Sequence, residues 1–227
     1  MSLWHGKTKG IWTNSENIAS NQNFVKKNGC IPAVTKEELE LILNFHPELK
    51  DVFLDVTERP VVRKSDYEWQ KKDYSGKKKK HSAKNLLVTT NSGEILAVSK
   101  TEIGSKHDYV MLQESDYMAA LLWFTVRVDL WFQGVVKDFP SHDIMIPTKK
   151  PKWKELTPEQ KKENKVQSWI RVIIENIIWR AKKYRIIAQK YRNRTTWNYR
   201  TVVNNMKNDV MLIVAWLHNL HAKKIIT

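Results

Sequence analysis

Three acidic residues occupy positions where carboxylate oxygens can serve a hard cation. Asp55 ends the apolar run Val52–Leu54 and Asp129 ends Val126–Val128. Glu175 interrupts a helix-periodic stretch whose inward positions are Val166, Ile170, Ile173, Ile174, Ile177, Ile178 and Ala181. If the two apolar runs are neighbouring strands, both aspartates project from one edge of a sheet, where ligand sites tend to form. An Asp at a strand end often just opens a turn, so neither aspartate carries the argument alone. At about 100° per residue, Arg171, Glu175 and Lys182 fall within roughly 40° of one another on the border of the apolar face. That row suits the rim of a groove. Its plainer reading is an Arg171–Glu175 surface ion pair worth a few tenths of a kcal/mol, and spacing alone favours the plainer reading. Phosphodiester cleavage is the chemistry that three carboxylates would serve. Two divalent cations about 3.5–4 Å apart activate the attacking oxygen and stabilise the leaving one. Mg²⁺ keeps waters and substrate phosphates in its shell, so a sparse carboxylate site suffices.

The rest of the composition fits such a substrate. Thirty-nine Lys and Arg against 24 Asp and Glu give the 227-residue chain a formal charge of +15. An anionic partner follows, with nucleic acid the commonest; anionic lipid or acidic protein would satisfy charge equally. Cys30 is the single cysteine, which excludes an intrachain disulfide or a multi-thiolate zinc site. No apolar stretch reaches membrane-spanning length and Met1–Gly10 lacks the core of a signal peptide, so a soluble, intracellular protein with no membrane partner is expected.

Several elements must position the acids. Residues 1–35 are rich in Asn, Ser and Lys and read as an irregular extension that Trp4, Trp12 and Phe24 can anchor. Thr35 with Glu38 three residues on predicts a capped helix to about Phe45, stopped by Pro47. Strands are expected at Val52–Asp55, Asn85–Thr90 and Ile95–Val98, the last two joined as a hairpin through Asn91, Ser92 and Gly93. A helix over Asp108–Leu122, a strand at Thr125–Val128 and a short strand near Ile144–Pro147 follow. Thr157 and Pro158 start a long helix to about Ile187, and Val202–Lys223 forms a last helix. This order implies an α/β domain with a mixed sheet.

Longer motifs carry a family resemblance. Leu54-Asp55-Val56-Thr57-Glu58-Arg59-Pro60, then Tyr74-Ser75-Gly76-Lys77-Lys78-Lys79-Lys80-His81 and Lys84-Asn85, resemble the start of the DDE superfamily endonuclease domain of bacterial insertion-sequence transposases. Gly104-Ser105-Lys106-His107-Asp108 is similar to that family's Gly-x-x-His-Asp segment, and Asp129-Leu130-Trp131-Phe132-Gln133-Gly134 to its Asp-x-Gly-Tyr/Phe-x-Gly motif. Arg171, Glu175 and Lys182 reproduce three members of a Tyr-x2-Arg-x3-Glu-x6-Lys signature, with Ser168 at the tyrosine position. The resemblance covers roughly residues 45 to 220. It implies a ribonuclease H-like mixed sheet flanked by helices, with a catalytic domain over 51–227 after an extension, 1–50, that has a short helix and no helix-turn-helix. It further implies that Asp55, Asp129 and Glu175 bind two Mg²⁺ or Mn²⁺ ions, that water cuts the element's ends, and that the freed 3′-hydroxyl attacks target DNA. Arg171 and Lys182 would position DNA, and Lys77, Lys78, Lys79 and Lys80 would contact its phosphates. A separate helix-turn-helix chain and a homo-oligomer assembled on DNA are the implied protein partners.

Three departures oppose an intact enzyme. Val56 and Trp131 stand where the family has glycine beside the first two acids, and Ser168 replaces the tyrosine. A branched or bulky side chain there is expected to crowd metal or DNA, so the alternative is a catalytically impaired, truncated remnant that only binds DNA. A second basic run, Lys149, Lys150, Lys152, Lys154, Lys161, Lys162 and Lys165, reads equally as a solvated face. Trp179, Tyr184, Tyr191, Trp197 and Tyr199 suit either base stacking or packing. His107 and Asp108 fall outside the expected site, with Ser105 or Asp108 as a helix cap.

Overall fold

The structure, a computed structural model, describes residues 31–153, 155–190 and 199–226, with backbone only at 169–170, 199–207 and 223–226. The chain runs α1 (Lys36–Asn44), β1 (Asp51–Pro60), α2 (Tyr67–Asp73), β2 (Tyr74–Ser75), β3 (Lys80–Thr89), β4 (Ile95–Val98) and β5 (Glu102–Ile103). It continues with α3 (Asp108–Glu114), α4 (Tyr117–Ala120), β6 (Thr125–Val128), a 3₁₀ turn (Leu130–Phe132), α5 (Val135–Asp138) and β7 (Ile144–Met145). Three helices close it: α6 (Pro158–Lys182), α7 (Arg185–Ala188) and α8 (Tyr199–Ile226).

β1 is the spine of a mixed sheet ordered β2-β3-β1-β6-β7, with β4 and β5 also paired to β3. It runs antiparallel to β3 from Phe53↔Thr89 to Pro60↔Ser82 and parallel to β6 from Asp51↔Thr125 to Leu54↔Val128. β6 in turn runs parallel to β7. Strand side chains alternate between faces, and the two faces bury different layers. Leu54, Leu86 and Val88 pack with Leu39 and Leu43 of α1, Met111 and Leu112 of α3, and Met118 of α4. Leu87 and Val98 pack with Ile177 and Ala181 of α6 and with Met211, Val214 and Ala215 of α8. A mixed sheet between helical layers is the ribonuclease H-like arrangement expected from the motifs. Asp55 lies opposite Leu87 in the register and so belongs to the α6 face.

Local chemistry explains most helix boundaries. At α1 the Thr35 hydroxyl accepts from the Glu38 N–H while the Glu38 carboxylate accepts from the Thr35 N–H, a closed capping box. Leu39 and Leu43 are buried and Ala33 bridges to Ala97, so this helix is integral to the first layer and not an appendage to it. The helix expected over 108–122 breaks in two, because Ser115 turns its hydroxyl onto the Leu112 carbonyl and Asp116 takes a left-handed φ of 56°. His107, and neither Ser105 nor Asp108, caps α3: its Nδ1 accepts the Tyr109 N–H. α6 begins at the expected Thr157 cap, to which Gln160 adds the second half of a capping box, but it ends at Lys182, and α7 follows as a separate turn. Val166, expected inward, is exposed.

Gly104 shows why its motif needs a glycine. A Cβ there would meet the Asp73 carbonyl oxygen at 2.5 Å and the Ser82 carbonyl oxygen at 2.7 Å, both backbone atoms that cannot swing aside. Gly104→Ala is expected to destabilise the fold by about 1–3 kcal/mol, the usual cost of overpacking, read as a lower urea midpoint. An unchanged midpoint would contradict this close approach.

Candidate active site

Asp55 and Asp129 arrive from adjacent parallel strands. The Val56 N–H donates to Asp55 Oδ1 at 2.8 Å, and Asp129 caps the 3₁₀ turn, with the Leu130 N–H donating to its Oδ1 at 2.7 Å. Each carboxylate is thereby oriented by the backbone one residue ahead. α6 is held to the sheet side by a double amide contact: Asn164 Oδ1 accepts from the Thr148 N–H at 2.8 Å and its Nδ2 donates to the Thr148 carbonyl at 2.9 Å. That clasp sits about two turns ahead of Arg171 and about three ahead of Glu175, and it fixes which face of α6 meets the acids.

Arg171 then joins helix to sheet. Its Nη1 lies 3.1 Å from Asp129 Oδ1 and its Nε 3.1 Å from Glu175 Oε1. One guanidinium thus ties two of the three acids, with the third in the same cleft: Asp55, Asp129 and Arg171 line it together with Arg127, Gln167 and Ser168. Asp129 is 11% exposed and Glu175 56%, so Glu175 stands on the rim. The i, i+4 pair expected on the helix does form, but it is also part of a bridge across the cleft. Among the described residues no three Asp, Glu, His or Cys side chains already converge as a metal cluster.

Burial strains Asp55 in its charged form. Burial pushes Asp55 up to about 6, the Asp129 charge adds to this, and the Val56 N–H, Arg171 and Lys77 oppose it. The folded carboxyl therefore holds its proton more tightly than the unfolded one. Its contribution favours folding fully below about 3.8 and is lost as pH rises through about 6. In chelator, Asp55→Asn is expected to flatten this part of the stability curve and to raise neutral-pH stability by roughly 1–3 kcal/mol, measured by urea unfolding across pH. A slope unchanged by the substitution would contradict the strain.

Basic groups collect on the β3 side. Burial, with the ammonium groups of Lys78 and Lys80, holds Lys182 below the usual lysine range, while Asp55 and Glu58 oppose the shift. Lys182 is therefore a neighbour of Asp55 and Glu58 as well as of Lys78 and Lys80. Lys77 lies over the Trp131 ring, 4.6 Å from its centroid. Lys79 is exposed in the turn before β3 with a φ of 53°, and no contact ties it to the acids. The second basic run is a solvated surface in part: Lys150 and Lys161 both pair with Glu155.

Two of the three departures do not obstruct the site as expected. Val56 turns to the opposite face of β1 and packs against the first core layer. Trp131 stands half exposed with Lys77 on its ring. Ser168 lines the cleft. Of the aromatics near the end of α6, Tyr184 packs in the second core layer and Trp179 is exposed under Lys183, whereas Tyr191, Trp197 and the Tyr199 side chain lie outside the described residues. Arg127 and Asn164 were not singled out in the sequence. The i, i+2 spacing of Arg127 and Asp129 on one strand was the available signal for the first; nothing marked Asn164.

The family model described as DDE superfamily endonuclease matches residues 54–219. A "Probable transposase for insertion sequence element IS702" from Microchaete diplosiphon is 33% identical over 144 residues, which is 63% of this chain and 50% of that protein. The chain thus matches half the length of that relative. No solved structure matches. No helix among the described residues is long and apolar enough to cross a membrane. With most of its length matched by the family model, this chain belongs to the DDE superfamily endonucleases.

Proposed function

We propose that the chain is the catalytic domain of an insertion-sequence transposase, cutting the element's ends and joining them to target DNA with Asp55, Asp129 and Glu175 as its catalytic acids. The observation that carries this reading is the Arg171 bridge: one guanidinium pairs with Asp129 and Glu175 from different elements, in the cleft that Asp55 also lines. Burial, with the Asp129 charge beside it, raises the Asp55 pKa and disfavours its bare anion, and the all-oxygen donor set suits Mg²⁺ or Mn²⁺. Asp55 and Asp129, which line one cleft, would hold such ions, and Glu175 would join them once Arg171 releases it. When bound, two such ions activate the attacking oxygen and stabilise the leaving one.

The chain's own groups do the rest. The Val56 and Leu130 N–H groups keep the two aspartates oriented. Arg171, freed from Glu175, turns its guanidinium to a DNA phosphate, where its paired N–H donors match the oxygens. Lys182, Lys77, Lys78 and Lys80 bind further phosphates, which hold DNA without reading its sequence and weaken steeply with salt. Recognition of the element's ends then falls to a separate helix-turn-helix chain, and the active assembly is a homo-oligomer on DNA in the bacterial cytoplasm. The test is nicking of a duplex carrying the element's ends, in Mg²⁺ or Mn²⁺ and in chelator. Nicking only with metal is expected; metal-independent nicking, or none in any assembly containing both ends and the recognition chain, would overturn the proposal.

A further inference from the structure

The 3₁₀ turn that Asp129 caps displays one residue outward. Phe132 is fully buried and pins the turn to the core, while Trp131 beside it is 51% exposed. Lys77, from the turn between β2 and β3, brings its ammonium to 4.6 Å from the Trp131 ring centroid, and the same ammonium acts on the Asp55 carboxylate. The indole is therefore half exposed, with a cation against its ring, and two residues from a candidate catalytic acid. A half-exposed indole gains little from the core, so its position asks for another partner. A rigid ring with a basic side chain against it is the unit that binds unpaired nucleotides: the base stacks on the π-face and the cation takes the phosphate. A base inside a duplex already stacks on its neighbours and offers no free face. Only an unpaired one gains from the ring.

We propose that Trp131 and Lys77 form a stacking platform for an unpaired DNA base beside the phosphodiester held at the acids. The platform deepens the DNA-cleavage reading and rests on it: the preferred substrate carries an unpaired nucleotide at or next to the cut. It also gives Trp131 a use that a glycine at this position lacks.

The test is run in chelator, so that binding is read without cleavage. Two duplexes are compared, one blunt and one with a short 3′ overhang carrying a fluorescent adenine analogue. The wild-type chain is expected to quench the analogue on binding and to prefer the overhang. Trp131→Leu is expected to lose the quench and to lower the preference by about 5- to 100-fold, the range for one stacked base. An equal quench and preference in Trp131→Leu, or no quench in the wild type, overturns the platform alone. A variant that weakens both duplexes equally also overturns it. Failure of the wild-type chain to bind either duplex overturns the DNA reading along with it.

Discussion

Asp129→Asn lowers metal-dependent nicking by about 10²–10³-fold or more, the scale on which removing one preorganised charge from a transition-state site acts. Asp129 is the junction of the site: it is mostly buried, oriented by the Leu130 N–H, and joined to Arg171. An amide there keeps the cap on the 3₁₀ turn but cannot carry the negative charge that a hard cation needs. Asp55→Asn and Glu175→Gln should match it in nicking. Their stability effects should differ, because Asp55 is destabilising in its charged form whereas Glu175 is largely exposed on the rim. Loss of nicking in all three variants with intact folds supports a shared site. Nicking within tenfold of wild type in any one would remove that residue from it.

Lys84→Met should be the most damaging substitution for the fold. Lys84 Nζ lies 2.8 Å from Asp108 Oδ1, 2.8 Å from the Lys106 carbonyl and 3.8 Å from Glu58 Oε1, with only 7% of its side chain exposed. Glu58 and Asp108 are themselves 8% and 13% exposed. Removing the ammonium leaves two carboxylates short of water and without their cation, which costs about 3–5 kcal/mol when a buried pair is broken. For a chain of this size that corresponds to a melting temperature roughly 6–20 °C lower. Restoring the balance by also replacing Glu58 with Gln and Asp108 with Asn should recover part of the loss. A melting point within a few degrees of wild type for the single variant would mean that water or another group already serves these carboxylates.

This network also shows what the sequence did and did not disclose. Periodicity found the sheet's main strands and both long helices, since Val52–Leu54 is a buried run, Val126 and Val128 alternate into the core, and Ile174, Ile177 and Ala181 are buried at helical spacing, all local patterns. Capping chemistry placed the starts of α1 and α6 to the residue, because Thr35 with Glu38 and Thr157 with Gln160 act within one turn. The short elements β2 and β5 were missed: each has two residues and exists only because β3 offers a free edge, which no local pattern reveals. Motif spacing brought Asp55, Asp129, Arg171 and Glu175 to attention, and spacing on α6 gave the Arg171–Glu175 pair. The second half of the bridge, Arg171 to Asp129, spans 42 residues and depends on how α6 packs, as does the Asn164 clasp that sets its position. Val56 was misjudged for a related reason. Its place beside Asp55 suggested crowding, but strand alternation sends it to the other face.

The central claim is that the three acids form one metal site, and Mn²⁺ titration by calorimetry at neutral pH tests it most directly, with no DNA or turnover required. The wild-type chain is expected to bind Mn²⁺ saturably and to melt at a higher temperature with it, and Asp129→Asn and Asp55→Asn are expected to lose both effects. Mn²⁺ binding of equal affinity in the wild type and in a variant lacking all three acids would contradict it.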